Sequence, residues 1–113
     1  MHEMALCEGV LQLLSEEAAR QRFERVKTVW IEIGALSHVE PEALRFCFDV
    51  VTDGTLAHGA RLEILRPDGK AWCIDCCASV ALRARGEPCP TCGGYKLQVT
   101  DGDQMTVKEL EVA

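Results

Sequence analysis

The chain has 113 residues, and its 12 Lys and Arg against 18 Asp and Glu give a formal net charge of −6. This balance argues against nonspecific nucleic-acid binding, which depends on neutralising phosphates, and the length allows one ordinary domain or one small domain with an appendage. We expect a cytoplasmic protein, because no apolar run approaches the roughly 20 residues of a membrane span and the first residues lack the pattern of a signal peptide.

The first half of the chain predicts a helix followed by a strand. Apolar residues recur at the three-and-four spacing of one helical face over residues 4–20. This face consists of Met4, Cys7, Leu11, Leu14 and Ala18. Residues 26–36 are rich in β-branched side chains and predict a strand, with Val29, Ile31 and Ile33 on one side.

A second helix and two further strands are expected after this strand. Glu40 and Pro41 mark the start of the helix, since proline is tolerated at the first helical position, and Asp53-Gly54 ends it. Its apolar stripe is Leu44, Cys47, Phe48 and Val51. Residues 60–66 alternate as a strand, and residues 104–112 predict a third strand with imperfect alternation.

The seven cysteines are distributed unevenly. Five of them, Cys73, Cys76, Cys77, Cys89 and Cys92, lie within 20 residues. Residues 70–99 carry a charge of +2, whereas the remainder carries −8. We therefore predict a discontinuous domain formed by residues 1–69 plus 100–113, interrupted by a cysteine-containing domain at 70–99.

Two CxxC pairs, Cys73/Cys76 and Cys89/Cys92, predict a closed tetrahedral metal site. Two cysteines on one tight turn direct both sulfurs at one ion, and a reducing compartment favours this use over disulfides. With no open position for a substrate, such a zinc site is structural. The alternatives are iron in a rubredoxin-like site and a redox-active CxxC disulfide.

The other cysteines have different predicted roles. Cys77 lies where a metal-binding turn commonly has glycine, so it is either a spectator thiol or a replacement for Cys76 as a ligand. Cys7 and Cys47 lie in apolar helical stretches and are expected to pack as small hydrophobic residues.

The N-terminus offers a second type of metal site. The α-amino group of Met1, the imidazole of His2, the carboxylate of Glu3 and the adjacent amide nitrogens lie within one chelating reach. Nitrogen-rich, square-planar coordination suits Ni(II) or Cu(II). The positive end of the helix dipole opposes a cation, so Glu3 or deprotonated amides must supply negative charge. On the residues alone, an exposed residue before a helix is favoured over a metal ligand for His2.

Four motifs together resemble the HypA/HybF family of hydrogenase nickel-incorporation proteins. They are the MHEM opening, the VWIEIGALSHVEPEALRFCFDVVTDGT stretch, the CxxC…CPTCGG segment and the closing VKELEV, and they span essentially the whole chain. The resemblance implies an α+β fold, in which two helices on a three-stranded sheet form the nickel-binding domain and a small zinc-ribbon-like domain is inserted. It also implies a metallochaperone rather than an enzyme, which carries Ni(II) as transient cargo and holds Zn(II) as a structural ion.

The resemblance further implies partners and residue roles. The expected partners are a HypB-type GTPase and the large subunit of [NiFe] hydrogenase, with no nucleic acid or membrane, and the chain is expected to be a monomer or a homodimer. His2 matches the nickel ligand of the family, with Glu3 and Met1 beside it. Zinc ligands are expected at Cys73, Cys76, Cys89 and Cys92, while His38 and His58 receive no role. The alternative function is a zinc-ribbon module that binds protein or nucleic acid without a nickel role.

Overall fold

The computed structural model describes residues 2–113 as two helices and six strands. The helices are α1 (His2–Gln21) and α2 (Pro41–Thr52). The strands are β1 (Val26–Ile33), β2 (Arg61–Leu65), β3 (Gly69–Cys73), β4 (Ala78–Leu82), β5 (Leu97–Asp101) and β6 (Met105–Val112). They form two three-stranded sheets, with the orders β2-β1-β6 and β4-β3-β5. The predicted α+β fold is therefore confirmed, and the cysteine-containing segment adds a second small sheet.

The helix boundaries follow from local chemistry. The first helix begins at His2 rather than at residue 4, so the expectation that His2 and Glu3 precede the helix is wrong. Arg22, with a φ of 61°, ends this helix in the left-handed region. The second helix begins as predicted: the Glu40 side chain accepts a hydrogen bond from the backbone N–H of Glu42, and Pro41 occupies the first position.

Among the described residues, one compact unit comprises 2–31, 39–64 and 107–113 and contains both helices. Its buried apolar residues come from α1, β1 and α2, and include Leu14, Val29, Ile31 and Phe48. The helices meet where the Cys7 thiol donates to the carbonyl oxygen of Leu44 at 3.5 Å. Both Cys7 and Cys47 are buried, so they pack as the small apolar residues that the sequence predicts.

The other compact unit comprises residues 32–38 and 65–106. Its central strand β3 pairs antiparallel with both β4 and β5. Alternation along β3 buries Ala71 and Cys73 on one face, and Ala71 packs in a small cluster with Leu36 and Leu82. The unit is longer than the cysteine-containing segment 70–99.

Backbone hydrogen bonds explain why residues 32–38 belong to the cysteine-containing unit. The N–H of Gly34 donates to the carbonyl oxygen of Gln104, and the N–H of Leu36 donates to that of Gly102, each at 2.9 Å. Arg66 Nε donates to the carbonyl oxygen of Ile33 at 2.9 Å. The strand predicted over 26–36 therefore ends at Ile33, because Gly34 and Leu36, which follow it, form hydrogen bonds with residues 102–104 of the second unit.

Within residues 2–113, neither helix combines the length and the apolar character that crossing a membrane requires.

Candidate metal centres

Four cysteines converge at one end of the second unit. Cys73 is the last residue of β3, Cys76 lies in the turn that follows, and Cys89 and Cys92 lie in the turns before β5. Their sulfur atoms all lie within 4.8 Å of one another. Cys73 and Cys89 are buried, whereas Cys92 is exposed, so the cluster sits with one side toward solvent.

The sulfur spacing fits a tetrahedral metal ion. The Cys73 and Cys92 sulfurs are 3.7 Å apart, and the Cys76 and Cys89 sulfurs are 3.9 Å apart. A tetrahedron with zinc–sulfur bonds of about 2.3 Å has edges of roughly 3.8 Å. A disulfide would require about 2.05 Å between sulfurs. The four cysteines therefore fit a metal ion such as Zn(II) bound by four thiolates. Such an ion would cross-link the two turns.

Backbone N–H groups around the sulfurs favour thiolate. Hydrogen bonds from the backbone of Cys92 and Thr91 lower the pKa of the Cys89 thiol to about 6. By contrast, side-chain hydrogen bonds with Cys92 and Cys73 raise the pKa of Cys76. Four thiols this close do not ionise together without a cation, because each new thiolate repels the others. A divalent ion removes this conflict by replacing the protons.

The second turn has the shape of a metal-binding knuckle. The N–H of Cys89 donates to the carbonyl oxygen of Gly94 at 2.7 Å, and the N–H of Gly93 donates to that of Cys89 at 2.8 Å. Gly93 has a φ of 75°, which favours glycine. In the first turn, the N–H of Cys76 donates to the Cys73 sulfur at 3.4 Å. Backbone N–H groups therefore hold both turns in a tight conformation beside their cysteines.

Cys77 lies outside the four-sulfur cluster. It is exposed, and its thiol donates to the carbonyl oxygen of Ile74 at 3.5 Å. Its φ of 51° is in the left-handed region that glycine adopts most easily. The sequence position where glycine was expected is thus a position whose backbone favours glycine.

His2 and Glu3 lie in the first turn of α1. His2 is exposed, and Glu3 is half-buried. The Glu3 carboxylate accepts a hydrogen bond from the backbone N–H of Glu40 at 3.4 Å. The first N–H groups of a helix have no acceptor within it, so the amide nitrogens here are not used by the helix. Met1, the third predicted member of this site, lies outside the described residues.

The N-terminal donors are not assembled like the cysteine cluster. Among residues 2–113, the four cysteines are the group in which three or more His, Cys, Asp or Glu side chains lie close enough together to hold one metal ion. A metal at His2 and Glu3 must therefore take its other ligands from backbone nitrogen, water or a partner. Sequence reasoning missed the Glu3–Glu40 contact, for which no local pattern gives a signal.

The remaining histidines lie elsewhere. His38 is exposed in the segment before α2. The Nδ1 atom of His58 lies 3.1 Å from the Asp53 carboxylate, just beyond the end of α2. Neither belongs to the four-cysteine cluster.

A two-helix α+β unit together with a four-cysteine, zinc-ribbon-like unit defines a class of small two-module metal-binding proteins. The family model described as HypA, hydrogenase/urease nickel incorporation, metallochaperone, matches residues 1–112, and the chain belongs to this family. It is 64% identical over 112 residues to hydrogenase maturation factor HypA of Azotobacter chroococcum mcd 1, with 99% of each chain covered. It is 60% identical over 112 residues to the factor of the same name from Rhodopseudomonas palustris strain BisA53, again with 99% of each covered.

Solved structures support the fold independently. The solution structure of the Ni metallochaperone HypA from Helicobacter pylori matches with a TM-score of 0.69 and 21% identity, covering 97% of this chain and 96% of that one. A second solution structure of a HypA protein matches with a TM-score of 0.70 and 22% identity, covering 100% and 97%. At this identity the matches establish the architecture alone.

Proposed function

We propose that this protein is a nickel carrier that binds Ni(II) at its N-terminus and delivers it to the large subunit of [NiFe] hydrogenase in the cytoplasm. Membership of the nickel-incorporation family is the observation that carries this proposal. The relatives at 64% and 60% identity are named hydrogenase maturation factors, which supports hydrogenase as the destination. A HypB-type GTPase is the proposed working partner. The protein acts as a carrier and not as a catalyst.

The proposed nickel ligands are the His2 imidazole, Glu3 and the nitrogen atoms of the N-terminal backbone, including Met1. An exposed imidazole beside amide nitrogens that the helix does not use supports a nitrogen-rich site. Glu3 is the acidic residue of the first turn, and its charge offsets the positive end of the α1 dipole. A site that lacks a preassembled set of side chains suits transfer, since a recipient replaces ligands one at a time.

The four-cysteine cluster is the proposed structural zinc site, with Cys73, Cys76, Cys89 and Cys92 as ligands. Its sulfur spacing supports four-coordination with no position left for cargo. The second unit has only a small apolar cluster around Leu36 and Ala71. Zinc binding on the order of 10 kcal/mol therefore provides a large part of its folding energy.

Nickel titration of untagged protein tests the proposal. We expect about one nickel site per chain in the wild type, lost in His2→Ala at constant zinc content. His58→Ala is the matched control, because His58 is also exposed and lies after α2 rather than in the first turn of α1. Full nickel affinity in His2→Ala, or an equal loss in His58→Ala, would refute the assignment of His2.

A further inference from the structure

One side of α2 carries two large apolar side chains in solvent. Phe46 is 70% exposed and Val50 is 50% exposed. They are four residues apart and therefore adjacent on one helix face. Leu44 and Phe48 of the same helix are buried, so a different face of α2 packs in the core and Phe46 and Val50 are not part of it.

Carboxylates surround this apolar pair. Glu42 precedes Phe46 by one turn and Asp49 follows it by three residues, while Asp53, the C-cap residue just after α2, follows Val50 by three residues. The side chains of Glu42 and Asp53 are 83% and 76% exposed. We call Glu42, Phe46, Asp49, Val50 and Asp53 the acidic–apolar face of α2.

The nearby basic side chains leave this face negatively charged. Arg45 lies 3.7 Å from the Glu42 carboxylate, but its guanidinium also donates to the carbonyl oxygen of Leu62, which draws it toward β2. The Nδ1 atom of His58 lies 3.1 Å from Asp53, and the same atom accepts a hydrogen bond from the backbone N–H of Gly54. The last turn of α2 contains no basic residue, although the C-terminus of a helix carries partial negative charge. Asp49 and Asp53 therefore add charge of the sign that this helix end disfavours.

The combination restricts what can bind. Anionic lipid surfaces and nucleic acid are repelled by the carboxylates. A free cation makes no use of Phe46 and Val50. A protein segment with an apolar stripe flanked by Lys or Arg satisfies both features, since aromatic anchors supply the binding energy and complementary charges supply steering and orientation.

We propose that the acidic–apolar face of α2 is a docking surface for a basic amphipathic segment of another protein. The apolar stripe of that segment covers Phe46 and Val50, and its Lys or Arg side chains pair with Glu42, Asp49 and Asp53. The surface uses none of the proposed metal ligands, so this inference stands or falls separately from the nickel assignment.

A synthetic peptide probes this chemistry directly. The probe is a labelled helix of about 18 residues with Leu at helical spacing and Lys elsewhere. One control peptide carries Glu in place of Lys, and a second has the same composition with the leucines scattered. In about 0.15 M salt we expect saturable binding of the first peptide alone, with NMR shift changes concentrated in α2.

Variants of the apolar pair test which residues hold the peptide. Phe46→Ser combined with Val50→Ser is expected to weaken binding by about tenfold or more. The matched control is Tyr95→Ser, because Tyr95 is an equally exposed aromatic residue, at 71%, on the other compact unit. We expect binding to Tyr95→Ser to stay within about twofold of the wild type.

Charge variants test the acidic part without disturbing apolar packing. Asp49→Asn combined with Asp53→Asn is expected to weaken binding several-fold at about 0.15 M salt and to match the wild type near 1 M salt. Glu16→Gln combined with Glu24→Gln removes the same charge from exposed positions elsewhere and is expected to have little effect.

Four binding results would overturn the proposal. They are no saturable binding to the wild type at about 1 mM peptide, equal binding of the Glu-containing peptide, wild-type binding by the Phe46/Val50 variant, and equal weakening by the Glu16/Glu24 variant. Sedimentation of the protein alone supplies a further check. A dimer that Phe46→Ser dissociates would make a second copy of this chain the occupant and would also overturn it.

Discussion

The carboxylate of Glu3 accepts a hydrogen bond at 3.4 Å from the backbone N–H of Glu40, the residue that caps α2. This contact attaches the first turn of α1 to the start of α2. One turn further along α1, the Cys7 thiol reaches the Leu44 carbonyl oxygen. Two of the proposed nickel ligands, His2 and Glu3, therefore belong to the first turn of a helix, and Glu3 joins that turn to a second helix.

Glu3→Gln is expected to lower nickel affinity by about tenfold at unchanged zinc content. Glutamine keeps an oxygen that accepts from the Glu40 N–H, so the helix contact survives while the negative charge is lost. Nickel titration combined with circular dichroism separates the two effects. Wild-type affinity in this variant would remove the Glu3 carboxylate from the site and leave only its backbone nitrogen.

Cys89→Ser is expected to abolish zinc retention and to unfold the second unit, because Cys89 is buried in the four-sulfur cluster. Cys77→Ser is the control, since Cys77 lies outside the cluster and is exposed. Metal analysis after gel filtration should give about one zinc per chain in the wild type and in Cys77→Ser. Loss of zinc from Cys77→Ser would make Cys77 a ligand. A red, iron-containing wild type would instead indicate a rubredoxin-like site.

Cys77→Gly is expected to stabilise the zinc-loaded protein by about 0.5 to 1 kcal/mol. The φ of 51° at Cys77 costs a residue with a side chain more than it costs glycine. Cys77→Ala keeps this cost and should show no comparable gain. Urea unfolding at a fixed zinc concentration measures both, and an equal gain in the two variants would exclude the backbone explanation.

Gly34→Ala is expected to destabilise the second unit by about 3 kcal/mol. A methyl group on Gly34 would meet the carbonyl group of Gly102, which is backbone and cannot move aside cheaply. Gly9→Ala is the contrasting control, because the space around Gly9 in α1 is open. It should stabilise the protein by up to about 1 kcal/mol. Thermal unfolding checks both, and a neutral Gly34→Ala would contradict the close packing described.

Alkaline destabilisation is expected to depend on Cys7. Burial, with smaller contributions from Cys47 and Glu3, raises the pKa of Cys7 from 9.0 to about 11. The fold therefore favours the neutral thiol. The contribution of the buried neutral thiol to the free energy of unfolding is fully present below pH 9 and is lost as the pH rises through about 11. This loss is at most about 3 kcal/mol. Urea unfolding from pH 8 to 11 should show a shallower decline in Cys7→Ala than in the wild type, and identical slopes would contradict this origin.

Periodicity and spacing predicted much of the first unit and the cysteine cluster. The amphipathic stripe of α2 and its Glu40-Pro41 start lie where the sequence indicates, since both depend on neighbours along the chain. The two CxxC pairs predicted a shared site because the turn geometry brings each pair together, and the four sulfurs do converge. The roles of His2 and Glu3 stay a prediction.

Other features had no local signal. Periodicity placed the start of α1 at residue 4, because His2 and Glu3 add no apolar residue to its face, yet the helix extends over them. The assignment of residues 32–38 to the cysteine-containing unit depends on hydrogen bonds from Gly34 to Gln104 and from Leu36 to Gly102, which are 70 and 66 positions away. Such partners are visible only once the chain is folded.

The sequence by itself determined the family, the helix-and-strand pattern and the four candidate zinc ligands, because these depend on residue identity and short spacing. Only the tertiary structure decided that the Glu3 carboxylate meets Glu40, that Cys77 stays outside the sulfur cluster, and that Phe46 and Val50 remain in solvent. These outcomes depend on how distant segments pack. Burial and long-range hydrogen bonds are properties of the folded chain, which no local pattern records.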